Sequence, residues 1–274
     1  MELMIIRIYC VVDDFLKSIR FKEDVQVKLN MSEILTIGLV ATKYFGGNYA
    51  TSIKFMIDHR YVKSKISRGQ FSRRLNSLDE SVFEQMSYAL SEHFKRENVE
   101  QKYNIDSAPI VICQNERISR CKLVSGKEYL GYSATKNSYF YGLRLHLLAS
   151  IKREPIEWRL VPAKAHDMTI FREFELNLPD GAQLGADSAY TDYNYEDIIH
   201  EATNFSFLPN RKSNSKRPYP PHVTFLASRD RKSIETTFSQ ITALFPKKIH
   251  ATNFAGFFLK IQLFILTYAI SCLF

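Results

Sequence analysis

Through the first third of the chain, apolar residues recur with the period of a helix. Ile5, Ile8, Val12, Phe15, Leu16 and Ile19 fall on one stripe and predict a helix over residues 2–20. Ser32 opens a second helix, which Gly46-Gly47-Asn48 ends, and a third runs over about residues 51–59. Ser67 is placed to cap a short fourth helix in which Phe71, Leu75 and Leu78 face inward. Its outer face carries Arg68, Arg73 and Arg74. Such a face suits a helix-turn-helix reading head, and equally a small helical subdomain with a solvated side. A fifth helix over residues 79–97 buries Val82, Phe83, Met86, Leu90 and Phe94.

Near Tyr103 the pattern turns strand-like. KYNIDSAPIVIC is an apolar run with Asp106 inside it, and YFYGLRLHLLAS, residues 139–150, alternates and is rich in β-formers. Residues 155–161 make another strand, and Asp167 caps a helix through residue 175. GAQLGADSAY holds a short strand ending in Asp187; TDYNYEDIIHEA follows as a helix and FSFLP as a strand. RKSNSKRPYPP is a basic, Pro-rich loop. A helix over residues 228–240 comes next, with Ser228 as N-cap and Ile234, Phe238 and Ile241 on its buried stripe. Residues 254–274 are long enough to span a bilayer. Lys260, Gln262, Thr267, Tyr268 and Ser271 interrupt them, and they read instead as a buried helix covering the sheet. This order predicts an α/β fold with a mixed sheet flanked by helices, behind an N-terminal all-helical domain. The expected divisions are residues 1–98, 99–250 and 251–274.

A chain of 274 residues, 45% hydrophobic and 24% charged, suffices for one large domain or two ordinary ones. Four cysteines without C-x-x-C spacing read as reduced thiols. The apolar N-terminus is broken by Asp13, Asp14 and Lys17 and lacks a small-residue cleavage site, so no cleavable signal peptide is expected. Charge changes the picture more. The net charge is +8, and residues 205–274 hold ten Lys or Arg against only Asp230 and Glu235, so the whole excess is C-terminal. That asymmetry points to a polyanionic partner, nucleic acid or a membrane surface; a solvated basic face is the plain alternative.

Three carboxylates then stand out. Asp106 interrupts an apolar strand, Asp187 ends another, and Glu235 sits at the rim of a buried helix stripe, one turn after Arg231. Taken alone, Glu235 is explained by its i−4 pair with Arg231. With the other two acids, a second explanation opens. A carboxylate inside an apolar strand is costly unless paired or metal-bound. Three that converge repel one another, and divalent cations resolve the repulsion. Hard oxygen ligands favour Mg²⁺ or Mn²⁺, and two such ions about 4 Å apart can clamp the oxygens of a phosphodiester displacement. His146, His166, Asp167 and Asp187 make a weaker, histidine-rich alternative without H-x-H or H-E-x-x-H spacing. No G-x-S-x-G and no Gly-rich phosphate loop is present. Tyr139–Tyr141 suits either base stacking or the core.

The stretches VDDF, NIDSAPIVIC, GYSATKNSYFYGLRLHLL, LGADSAY and RKSIETTFSQI occur in an order that resembles the DDE transposases of bacterial insertion sequences. The resemblance is to the IS-nine-eight-two-like group of the IS-four-like superfamily and runs almost the full length. It implies a ribonuclease-H-like core in which Asp106, Asp187 and Glu235 are the catalytic, metal-binding triad. The superfamily pattern Tyr-x2-Arg-x3-Glu-x6-Lys is met only at Arg231 and Glu235; Ser228 and Thr242 stand at the outer positions, with Lys247 and Lys248 nearby.

The function expected on this basis is end binding, metal-dependent cleavage and strand transfer of an insertion sequence, with Mg²⁺ or Mn²⁺, two ions, as cofactor. Partners would be double-stranded DNA and a second copy of the chain, with no membrane, in a bacterial cytoplasm at the nucleoid. Arg68, Arg73, Arg74, Arg211, Lys212, Lys216, Arg217, Arg231 and Lys232 are the expected DNA contacts. A stand-alone nuclease on the same core and a non-enzymatic membrane-attached DNA-binding protein are the alternatives.

Overall fold

The apolar run Lys102–Cys113 forms β1, the central strand. The computed structural model describes residues 1–24, 26–133 and 137–274. β1 pairs antiparallel with β3 (Ser138–Ser150), setting Asp106 opposite Leu147 and Ser107 opposite His146. On its other side it pairs parallel with β5 (Gln183–Ala186), Ile105 lying opposite Ala186. β6 (Ser206–Pro209) continues the parallel half beside β5. β2 (Leu130–Ser133) and β4 (Pro155–Pro162) both pair antiparallel with β3, on its early and late parts respectively. Parallel neighbours need crossovers. The short helix α6 (Asp167–Phe171) lies between β4 and β5, and α7 (Tyr193–Ala202) between β5 and β6. This is the mixed sheet flanked by helices that the strand pattern predicts. β2 is the strand the pattern does not show, because four residues, LGYS, carry no alternation to read.

The chain divides into two compact units, Met1–Ser87 with Gln240–Phe274, and Tyr88–Ser239. The first is helical. α1 (Glu2–Ser18) buries Ile5, Ile8, Val12 and Leu16. α2 (Met31–Tyr44) opens with a capping box between Asn30 and Glu33, two residues before the expected Ser32 cap. Ser32 is instead buried, its hydroxyl donating to Asp13 Oδ1 at 2.8 Å. Gly46 and Gly47, both at positive φ, end the helix, and Asn48 caps α3 (Tyr49–Asp58). α4 (Arg68–Asn76) starts at Ser67 in a capping box with Gln70 and buries Phe71 and Leu75 completely. α5 (Glu80–Glu97) buries all five predicted apolar residues.

The last helix, α9 (Phe254–Cys272), groups with the helical unit, where it packs on α2. Thr42 and Thr267 share a hydrogen bond of 2.6 Å in that interface, and Lys43 Nζ donates to Ser271 Oγ at 2.8 Å. α9 is apolar on nearly every side, so its sequence shows that it must be buried but not against what. It is long and apolar enough to cross a bilayer, yet 67% of its most apolar stretch is buried within protein. The helix bearing Glu235 is longer than expected: α8 runs Pro221–Ala243, and Ser228 is an interior residue. A proline at the first helical position costs no hydrogen bond. The early turns expose His222, Phe225 and Leu226, so they carry no buried stripe to announce them.

Candidate active site

β1 and β5 run parallel, and their register carries Asp106 and Asp187 one step beyond the Ile105–Ala186 pair. The two carboxylates therefore stand side by side at the end of β5. Each accepts a backbone N–H from the next residue: Ser107 to Asp106 Oδ1 at 2.8 Å and Ser188 to Asp187 Oδ1 at 2.6 Å.

The third carboxylate arrives on α8, and the residues that dock this helix alternate along β1. Lys102, Asn104 and Asp106 share one face of the strand. Lys102 Nζ lies 2.8 Å from Asp230 Oδ2. Asn104 Nδ2 donates to the Asp230 carbonyl at 3.0 Å and to Ser233 Oγ at 3.1 Å. Arg231 Nη2 lies 3.3 Å from Asp106 Oδ2. Meanwhile Ile234 and Thr237 are fully buried, fixing the rotation of the helix. Glu235, one turn beyond Arg231, is thereby brought to the same place.

Arg231 joins the three acids. Its Nη2 is 3.3 Å from Asp106 Oδ2 and 3.8 Å from Glu235 Oε1; its Nη1 is 3.3 Å from Asp187 Oδ1. Burial raises the Asp106 pKa above the ordinary carboxylate value and the Asp187 charge adds to that, against the Ser107 N–H and Arg231. Burial acts against the Arg231 charge as well. Asp106, Asp187 and Glu235 outweigh it and hold the guanidinium more firmly protonated than usual.

Behind Asp106 lies a polar network that sequence reasoning did not assemble. Asp167 Oδ1 accepts from Ser107 Oγ at 2.9 Å and lies 3.7 Å from Arg144 Nη1 and 3.8 Å from His146 Nδ1. Tyr190 OH is 3.5 Å from the same His146 nitrogen. Burial brings the His146 pKa down to about 4, with Arg144 acting in the same direction and Asp167 opposing both. His146 is thus a neutral core residue. The histidine-rich site is not formed: among the described residues no three His, Cys, Asp or Glu side chains close around a common metal position. The docking residues Lys102, Asn104 and Ser233 were missed too. Asn104 had a legible signal, a polar residue two positions before Asp106 in an otherwise apolar run.

The expected DNA contacts separate into two sets. Arg68, Arg73, Lys212, Lys216 and Lys232 are exposed. Arg74 is instead turned to Glu23 and the Leu29 carbonyl. Arg211 is buried in a two-pronged pair with Glu196, at 2.8 and 2.5 Å, and Tyr193 and Tyr219 lie against its guanidinium. Arg217 pairs in the same way with Asp197 at 2.6 and 3.0 Å. These arginines hold the 211–217 loop onto α7, because acids on a neighbouring helix reach them before any external anion. Of the aromatic segment, Tyr139 is exposed and edges onto Tyr132, whereas Phe140 and Tyr141 are core.

The donor set suits a hard divalent cation. It is three carboxylates from three different elements, each within 3.3–3.8 Å of the Arg231 guanidinium; with that cation between them they do not themselves close around a common metal position. Asp106 and Asp187 would hold such an ion jointly, and Glu235 would complete a second position.

The family model of the transposase DDE domain matches residues 96–252, which contain all three carboxylates. The chain therefore belongs to the DDE transposase family, whose domains depend on divalent metal. Among solved structures, it is similar to piggyBac transposase in a synaptic complex with hairpin DNA. Identity is 10%, the match covers 97% of this chain and 71% of that one, and the TM-score is 0.51, a likeness of fold. No curated protein matches.

Proposed function

We propose that this transposase binds the terminal inverted repeats of an insertion sequence of the IS-nine-eight-two-like group, cleaves DNA there and joins the freed 3′-hydroxyl to target DNA. The observation that carries this reading is the meeting of Asp106, Asp187 and Glu235 at one guanidinium, within a DDE transposase family domain. A pair of Mg²⁺ or Mn²⁺ ions would activate the attacking oxygen and stabilise the leaving one. The chain's own part is positional. The β1–β5 register sets two of the acids side by side, and the Lys102, Asn104 and Arg231 contacts hold the helix bearing the third. The exposed Arg68 and Arg73 on α4, with Lys212, Lys216 and Lys232, supply charge for the DNA backbone. DNA as partner also suits the likeness to a transposase solved with DNA. A transposase acting on DNA would work in the cytoplasm at the nucleoid, and α9, with 67% of its most apolar stretch buried, reads as a core helix and not as a span.

The test is a joining assay with precleaved element ends and a target plasmid. Wild-type protein with Mg²⁺ inserts the ends, while Asp187→Asn binds them and neither cuts nor joins. Cleavage without joining by the wild type would favour a stand-alone nuclease, and cutting by Asp187→Asn would remove the triad from the chemistry.

A further inference from the structure

Arg231 stands where three carboxylates meet, and among the described residues no other cation forms an ion pair with any of them. Asp106, Asp187 and Glu235 bring three formal negative charges to one point; the guanidinium returns one positive charge through Nη1 and Nη2. Its Nε is buried and makes no hydrogen bond among the described residues, so only the acids hold the tip of the side chain. A guanidinium and a divalent cation cannot both sit at the focus of the same carboxylates without strong like-charge repulsion.

From this we infer that Arg231 is a positioning residue that serves as place-holding cation for the metal-free triad and yields its place when divalent ions bind. The inference rests on the reading of the triad as a metal site. While metal is absent, Arg231 keeps the three acids gathered at the end of the β1–β5 pair instead of letting them repel one another into solvent. When metal enters, the guanidinium loses its partners together. Arg231 is one helical turn from Glu235 on the same face of α8, so the displaced fork remains at the site. There it can offer paired N–H donors to a phosphate oxygen, the geometry in which arginine recognises phosphate. The chain thereby exchanges one anion for another at a single residue.

The experiment is Mn²⁺ binding to the full chain, followed by the paramagnetic resonance signal of the free ion. Wild type, Arg231→Ala, Arg231→Lys and Asp187→Asn are compared, with melting temperatures measured in EDTA and in Mn²⁺. Removing the competing cation should make Arg231→Ala bind Mn²⁺ about tenfold more tightly. Arg231→Lys, which restores a charge, should return toward wild type. In EDTA, Arg231→Ala should melt below wild type, and Mn²⁺ should close the gap. Should the alanine variant not fold, Arg231→Gln carries the same expectations. If Mn²⁺ binding in Arg231→Ala is unchanged or weaker while Asp187→Asn still abolishes it, the place-holding role is wrong and the metal site stands. If Asp187→Asn leaves Mn²⁺ binding untouched, the metal-site reading falls and this inference falls with it.

Discussion

Asn104 and Gly185 face each other across the parallel β1–β5 pair, and the Asn104 amide fills the space a side chain at 185 would need. A Cβ on Gly185 would lie 2.4 Å from Asn104 Oδ1. The glycine is required because the amide must turn toward α8, where it donates to the Asp230 carbonyl and Ser233 Oγ. A residue on β5 thus governs the placement of Glu235 without touching it.

Gly185→Ala should displace the amide, loosen α8 and lower DNA cleavage by about tenfold or more, as expected when a reacting group is misplaced by a fraction of an ångström or more. Asn104→Ala should do the same. The double variant should be little worse than either alone, because both act through one contact. Rates on a labelled element end would show this, and additive losses would mean that Gly185 matters for another reason.

Glu196→Ala should strand the buried Arg211 and destabilise the chain by about 3–5 kcal/mol, the usual penalty for halving a buried ion pair. Arg211→Ala should likewise shift the urea midpoint while leaving the salt dependence of DNA binding unchanged. A flatter salt slope in Arg211→Ala would return this residue to the DNA interface.

Arg68→Ala combined with Arg73→Ala should weaken end binding and reduce the slope of log affinity against log salt by about 2, if each arginine neutralises one phosphate. Binding titrations between low and moderate salt read the slope directly. An unchanged slope would mean that the exposed face of α4 is only solvated.

His146 supplies a pH dependence. Burial, reinforced by Arg144 and opposed by Asp167, brings its pKa from 6.5 down to about 4. Between those values the unfolded chain binds more protons than the folded one, so stability is full above pH 6.5 and falls as pH drops toward 4. The loss is at most ~3 kcal/mol. Urea midpoints at pH 7 and pH 4.5 should differ by less in His146→Gln than in wild type. Equal acid sensitivity in the two proteins would place the titrating group elsewhere.

Every strand but β2 was legible as an apolar or alternating run, and the three acids because each breaks a local rule. Asp106 is a charge in an apolar strand, Asp187 ends a short strand at a turn, and Glu235 is an acid in a basic region. Local pattern could not reveal partners. Arg74, Arg211 and Arg217 read as free cations because Glu23, Glu196 and Asp197 are distant in sequence. α9 announced only that it must be buried, and α2, which accepts it, is itself apolar on most sides. The opening turns of α8 escaped notice for the opposite reason, since an exposed helix start leaves no apolar stripe. Asn104 and Gly185 were readable only as a pair, and their pairing depends on a sheet register that neither strand displays alone.

The central claim is that Asp106, Asp187 and Glu235 share divalent ions, and anomalous scattering from crystals soaked in Mn²⁺ tests it most directly. The account predicts one peak between the Asp106 and Asp187 carboxylates, a second against Glu235, and the Arg231 guanidinium drawn away from the point it now occupies. Peaks confined to other carboxylates, or none near these three at saturating Mn²⁺, would contradict it.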